Sequence, residues 1–304
     1  MNSAAKTILN TIGNTPLVRL SKSVSGKSAS GVDFWAKLEW FNPGGSVKDR
    51  TAHQIVSDAL HSGQLKPGMK LIDSTSGNTG ISYALIGAVL GISVTLVVPE
   101  NVSPERIKVM KFYGAELIYS DPMEGSDGAR KLAKEAVRRS PGTYFFADQY
   151  SNSSNWRAHY LTTGPEIWRQ SEGRITHFIA ALGTSGTLVG AGRYLKEQKP
   201  GVKVIGIQPE AFHGIEGWKH MESAERVPIY DPHVHDQKMT IQTEAAYETA
   251  ESLGPSEGLL ASPSAGGALA GALEAMKDTQ EAVVVVIFAD GGDKYLSRLT
   301  MPLS

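Results

Sequence analysis

The sequence predicts an α/β fold made of two open twisted sheets flanked by helices. Three observations carry this. Short β-branched runs alternate with helical stretches from Met69 onward. Glycine-rich loops join the end of a strand to the start of a helix, once in each half of the chain. The 304 residues, 41% hydrophobic and 20% charged, are long for one domain and supply ample core material.

The elements follow in order. Met69–Asp73 reads as a short strand. Ile81 to Val98 is nearly continuous apolar sequence and imitates a membrane span. Its character changes at Gly91, however. Thr79–Leu90 is rich in alanine and leucine and predicts a helix, whereas Ile92–Val98 is β-branched and predicts a buried strand. Ser103-Pro104-Glu105-Arg106 marks a helix start, with serine at the cap and proline at the first helical position, ending near Gly114. Ala115–Tyr119 and Thr143–Ala147 are further strands, with a helix over Gly128–Arg139 between them. The polar run Gln149–Asn155 is the expected domain boundary. A second set follows: a strand over Ile175–Leu182, a helix running to Gln198, a strand over Val202–Ile207, a helix over Ala265–Lys277 and a strand over Ala282–Phe288. The irregular stretch between Glu210 and Gln242 reads as a functional or dimer-forming segment.

Composition narrows the function. Thirty Lys and Arg against 31 Asp and Glu leave a net charge of −1 with no basic stripe, so nucleic acid and anionic membrane are poor partners. There are no cysteines, which excludes disulfides, thiolate metal sites and a cysteine nucleophile. Met1-Asn2-Ser3-Ala4-Ala5-Lys6 has no apolar run behind its charge, so no signal peptide is expected. No Gly-x-Ser-x-Gly elbow occurs. His233 and His235 lack a third ligand, and Asp290 and Asp293 lack a nucleotide signature, so no metal site is expected.

The chemistry lies in three loops. Asn42-Pro43-Gly44-Gly45-Ser46-Val47-Lys48-Asp49-Arg50 puts Lys48 in the first turn of a helix. The positive helix end disfavours a charged amine there and eases a neutral, nucleophilic one able to form an imine. A surface lysine is the plain alternative for that residue alone. Ser76-Gly77-Asn78-Thr79-Gly80 offers amides and small hydroxyls at another helix start, suited to a carboxylate or merely to a turn. Gly183-Thr184-Ser185-Gly186-Thr187 has four consecutive amides and three hydroxyls. It carries neither the Walker lysine nor the dinucleotide glycine spacing, so it suits a single phosphate. Ser264 opens a further helix and is read either as its cap or as a ligand contact.

An imine-forming lysine, a one-phosphate cradle and a carboxylate loop together describe a pyridoxal 5'-phosphate site for an amino acid. Asn42–Arg50, Thr75–Gly80, Gly183–Thr187, Gly13-Asn14-Thr15-Pro16-Leu17-Val18 and the ending Gly292–Ser297 resemble the cysteine synthase, or O-acetylserine sulfhydrylase, family. These enzymes have fold type II, the tryptophan synthase β-like arrangement. Tyr160–Trp168 and Gly173–Phe178 look most like its cysteine synthase B branch. The resemblance implies a smaller mobile domain, 42–154, that binds the substrate carboxylate. It implies a larger one, 1–41 plus 155–304, that holds the phosphate. It implies Lys48 as the Schiff-base lysine and Gly183, Thr184, Ser185, Gly186 and Thr187 on the phosphate. Asn78 would meet the phenolic oxygen, and Ser264 the pyridine nitrogen. Thr75, Ser76, Thr79 and Gln149 would bind the substrate carboxylate. Lys219 stands where some relatives carry arginine for thiosulfate or O-phosphoserine, without arginine's fork.

The implied reaction joins O-acetylserine and sulfide through an α-aminoacrylate to give cysteine, with Lys48 moving the α-proton. A hydroxyl at the ring nitrogen makes a weak electron sink, which suits β-elimination. One departure is Ser262-Pro263-Ser264-Ala265-Gly266, where the family usually has a Gly-hydrophobic-Ser-Ser-Gly run. The rivals are O-phosphoserine sulfhydrylase, cystathionine β-synthase and a non-catalytic cofactor-retaining sensor. Further expectations are a cytoplasmic homodimer. The family's serine acetyltransferase partner has no support in these residues.

Overall fold

The computed structural model describes residues 6–75 and 77–296. In chain order the main elements are β1 Leu17–Arg19, β2 Gly31–Leu38, α1 Lys48–His61, β3 Lys70–Ser74, α2 Asn78–Leu90, β4 Val94–Pro99 and α3 Pro104–Phe112. Next come β5 Glu116–Ser120, α4 Gly125–Arg139, β6 Tyr144–Phe146, α5 Ser154–Ala158, a π-helical turn over His159–Thr163, and α6 Gly164–Gln170. The rest are β7 His177–Ala181, α7 Gly186–Gln198, β8 Lys203–Pro209, β9 Gln237–Ile241, α8 Thr243–Glu257, α9 Pro263–Ala275 and β10 Glu281–Phe288. Two compact units result: Met1–Ile12 with Asn42–Asn155, and Gly13–Phe41 with Trp156–Ser304. The segment ending at Ile12 thus goes with the smaller unit, where the expectation puts it in the larger. Leu9 is buried in that unit's core.

In the smaller unit the sheet order is β5-β4-β3-β6, with every pairing parallel. Parallel strands covered on both faces are continuously apolar, and all six residues of β4 are buried. The span-like sequence is explained by α2. Its residues from Thr79 through Gly87 are all buried, so this helix is apolar all round. It ends on Gly91, whose φ of 68° is the left-handed cap that glycine takes without cost. Burial of each large side chain here, such as Ile81 or Leu85, stabilises by about 1.5–3 kcal/mol.

The larger unit's sheet runs β1-β2-β10-β7-β8-β9, antiparallel only between β1 and β2. The β-branched run Ala282–Phe288 lies in β10, between β2 and β7, as its composition predicts. Two parts of this unit differ from expectation. β1 and β2 occupy a stretch for which no strand is expected, because Asp33 and Lys37 interrupt the apolar pattern of β2. β9 lies inside the stretch read as irregular, where its mixed composition hides an edge strand.

Candidate active site

In the smaller unit the functional side chains cluster at the carboxyl ends of β3 and β6 and at the first turns of α1 and α2. Lys48 is the first residue of α1 and is partly exposed. The turn before it closes by a hydrogen bond from the Gly45 N–H to the Asn42 carbonyl at 2.8 Å, with Gly45 at φ 76°. Asp49, buried, then acts twice. It accepts from the Gly44 N–H and from the Ser82 hydroxyl on α2.

The loop after β3 is built around Thr75. Its hydroxyl accepts from the amides of Gly77 and Gly80, both at 3.1 Å. That leaves its single proton to be donated. Thr79 donates to the Gln149 side-chain oxygen at 2.8 Å, and the Gln149 amide nitrogen donates to the Ser74 carbonyl at 2.9 Å. Thr75, Thr79 and Gln149 are therefore brought together, and Asn78 opens the adjoining helix. Ser76 lies outside the described residues. Gln149 is itself delivered by a turn in which Asp148 adopts φ 40°, clamped by two hydrogen bonds from the Arg130 guanidinium at 3.0 and 3.2 Å.

Two residues that sequence reasoning missed stand behind this loop. Arg106 is buried, and a side chain at Gly77 would come within 2.9 Å of its guanidinium, so a cation sits against the loop. Asp73 is fully buried at the end of β3 and accepts from the amides of Ser74 at 2.8 Å and Gln149 at 3.2 Å. Burial pushes its carboxyl up to about 7, against the pull of those two amides. The available signal was an acid ending the apolar run Leu71-Ile72.

A pH dependence follows. A carboxyl raised from 3.8 to about 7 on folding stabilises the folded state fully below pH 3.8. That stability is lost as pH rises through 7. Unfolding free energy measured by urea titration should fall between pH 4 and 7 with a component approaching about 1.4 kcal/mol per pH unit. Asp73→Asn should remove that component, and an unchanged slope would contradict the assignment.

In the larger unit the site residues gather at the carboxyl end of β7 and the start of α7. Ser185 caps α7 in the left-handed region at φ 67°, a strained conformation for a residue with a side chain. The amides of the first turn of α7 make up its positive end. Thr187 is held from below. The buried His159, on the π-helical turn, is 3.2 Å from the Thr187 hydroxyl through Nε2 and 2.9 Å from the Thr163 hydroxyl through Nδ1. Gly183 has no room for a side chain, because a Cβ would strike the Gly217 carbonyl. Gly183→Ala should therefore cost about 1–3 kcal/mol through a shifted loop. We expect about tenfold weaker phosphate-ligand binding for each 1.4 kcal/mol, read by titration of the apoprotein.

Ser264 is not the cap of α9. That role falls to Ser262, whose hydroxyl accepts from the Ala265 N–H at 3.1 Å with Pro263 at the first helical position. Ser264 faces Trp218 instead, whose indole donates to it at 2.8 Å. Lys219 is 9% exposed, and its N–H donates to the Leu182 carbonyl at 2.8 Å, directly before Gly183.

Comparison with known proteins places the chain in a family. The family model described as pyridoxal-phosphate dependent enzyme matches residues 8–290. The chain is 48% identical over 299 residues to the cysteine synthase of Aquifex aeolicus, covering 97% of this chain and 91% of that one. It is 44% identical over 291 residues to cysteine synthase B of Escherichia coli, covering 96% and 94%. Among solved structures, the cysteine synthase of Entamoeba histolytica superposes with a TM-score of 0.92 at 37% identity, covering 97% of this chain and 90% of that one.

Proposed function

The chain belongs to the pyridoxal-phosphate dependent enzymes, and from that premise we propose that it makes L-cysteine from O-acetyl-L-serine and sulfide by β-replacement. The observation that carries the reading is full-length similarity, at 44–48% identity, to cysteine synthases. The residues present fit the cofactor. A loop whose first glycine admits no Cβ, whose cap is forced into the left-handed region, and which precedes a helix start suits one phosphate without metal or lysine.

In this reading Gly183, Thr184, Ser185, Gly186 and Thr187 hold the phosphate. Asn78 and Ser264 hold the ring substituent and ring nitrogen, and Lys48 carries the cofactor. Bound pyridoxal phosphate supplies an electron sink that acidifies the substrate α-carbon. The protein's part is then positioning and proton transfer. Thr75 gives its unspent proton to the substrate carboxylate, joined by Thr79, Gln149 and Ser76. Gln149 is rigid because both ends of its amide are engaged. The Lys48 amine takes the α-proton and returns it. We assign Lys219 to the incoming sulfur donor, on its place beside the phosphate loop. The reading extends to a cytoplasmic homodimer. Sedimentation reads the stoichiometry. Among the described residues no helix is long and apolar enough to cross a membrane.

The test offers the loaded protein O-acetylserine, O-phosphoserine or serine, each with sulfide, thiosulfate or homocysteine, and identifies the amino-acid product. We expect cysteine, with the highest kcat/KM for O-acetylserine and sulfide. Cystathionine as the dominant product would move the assignment to cystathionine β-synthase. Tight cofactor binding without any turnover would make the protein a non-catalytic binder.

A further inference from the structure

Three consecutive residues connect the phosphate loop to the start of α9. The Gly217 carbonyl lies against Gly183, and the Lys219 N–H donates to the Leu182 carbonyl at 2.8 Å. Between them the Trp218 indole Nε1–H donates to the Ser264 hydroxyl oxygen at 2.8 Å. Both side chains are buried. The indole is braced by α9, where a Cβ on Gly267 would come within 2.8 Å of its ring.

An indole N–H can only donate, whereas a serine hydroxyl owns one proton and two acceptor positions. Trp218 therefore fills one acceptor position on Ser264. Among the described residues the Ser264 hydroxyl gives its own proton to no protein acceptor. We propose that Trp218 is a positioning residue that turns Ser264 into a hydrogen-bond donor and thereby holds the cofactor's pyridine nitrogen unprotonated. This rests on the reading that Ser264 meets that nitrogen. A protonated ring nitrogen would present a second N–H to an oxygen already accepting one, and the Ser264 proton would lose its acceptor. A neutral ring nitrogen accepts that proton and completes the set. The indole dipole also points its positive end at the Ser264 oxygen, which makes the hydroxyl a better donor.

The experiment loads the parent protein, Trp218→Phe and Ser264→Ala with pyridoxal phosphate labelled with nitrogen-15 in the ring, and follows the ring-nitrogen resonance against pH. Trp218→Phe keeps an aromatic ring and removes the indole donor together with part of the buried ring volume. It should raise the pH of half-protonation by about one unit, the equivalent of one net hydrogen bond. Ser264→Ala should also move the profile. A Trp218→Phe profile that superimposes on the parent while Ser264→Ala moves would overturn the proposal alone. A Ser264→Ala profile that superimposes would remove the underlying reading of Ser264 as well. Where Trp218→Phe does not fold, the apoprotein reports the same bond. The Trp218 Nε1–H resonance should move toward that of an unbonded indole in Ser264→Ala, and an unmoved resonance overturns the proposal.

Discussion

Lys48→Ala is expected to abolish covalent retention of the cofactor and to lower kcat/KM by about 10³-fold or more, since in the proposed reading one group both carries the cofactor and moves the proton. Fold stability should not follow activity down. Lys48 is the first residue of α1 and partly exposed. Alanine is the better helix former, and its neutrality suits the positive helix end. The change in unfolding free energy should stay within about 0.5 kcal/mol. Dialysis followed by absorbance reads the cofactor, and a cysteine assay reads the rate. Turnover at the parent rate would remove Lys48 from its role. A variant that unfolds would show instead that the lysine is structural.

The largest stability effect is expected at Glu166. Lys37 on β2 is fully buried, and its ammonium has three acceptors: Glu166 at 2.7 Å, the Thr15 carbonyl at 2.7 Å and Gln170 at 2.8 Å. The other Glu166 oxygen accepts from the Asn14 N–H at 2.9 Å. Glu166→Ala takes a carboxylate partner from a buried ammonium and should cost about 3–5 kcal/mol, seen as a lower urea midpoint. The pair itself contributes far less than its rupture costs, because both ions were taken out of water. The double variant Lys37→Met with Glu166→Gln should therefore recover most of the loss. The glutamine oxygen still serves Asn14, and Gln170 still donates to the Thr15 carbonyl at 2.9 Å. A double variant as unstable as Glu166→Ala would show that the ion pair is itself net stabilising.

Much of the candidate site was legible because Lys48, Thr75–Thr79 and Gly183–Thr187 lie where a loop enters a helix. There glycine and small hydroxyls leave few interpretations. The parallel strands were legible for the same reason that β10 is central: a run such as Val283–Ile287 has nowhere to go but a core. What stayed hidden depends on partners far apart in the chain. Lys37 reads as a surface residue until Glu166 appears, 129 positions later. β2 is disguised by that same lysine. Trp218 sits in a stretch without periodicity, and nothing local shows that its indole meets Ser264, 46 positions on. The choice between cap and ligand contact for Ser264 stayed open in the sequence because serine flanks Pro263 on both sides, and the cap is Ser262. The assignment of Leu9 to the smaller unit rests on packing alone.

Asp49 gives the smaller unit a mechanical property. One carboxylate ties the glycine turn ahead of Lys48 to Ser82, a single turn into α2. The same α2 starts at Asn78 and supplies the Thr79 that grips Gln149. A displacement of the carboxylate loop therefore drags the base of Lys48 along with it. In the proposed reading, the proton carrier and the substrate hook are thereby gauged against each other by the fold itself.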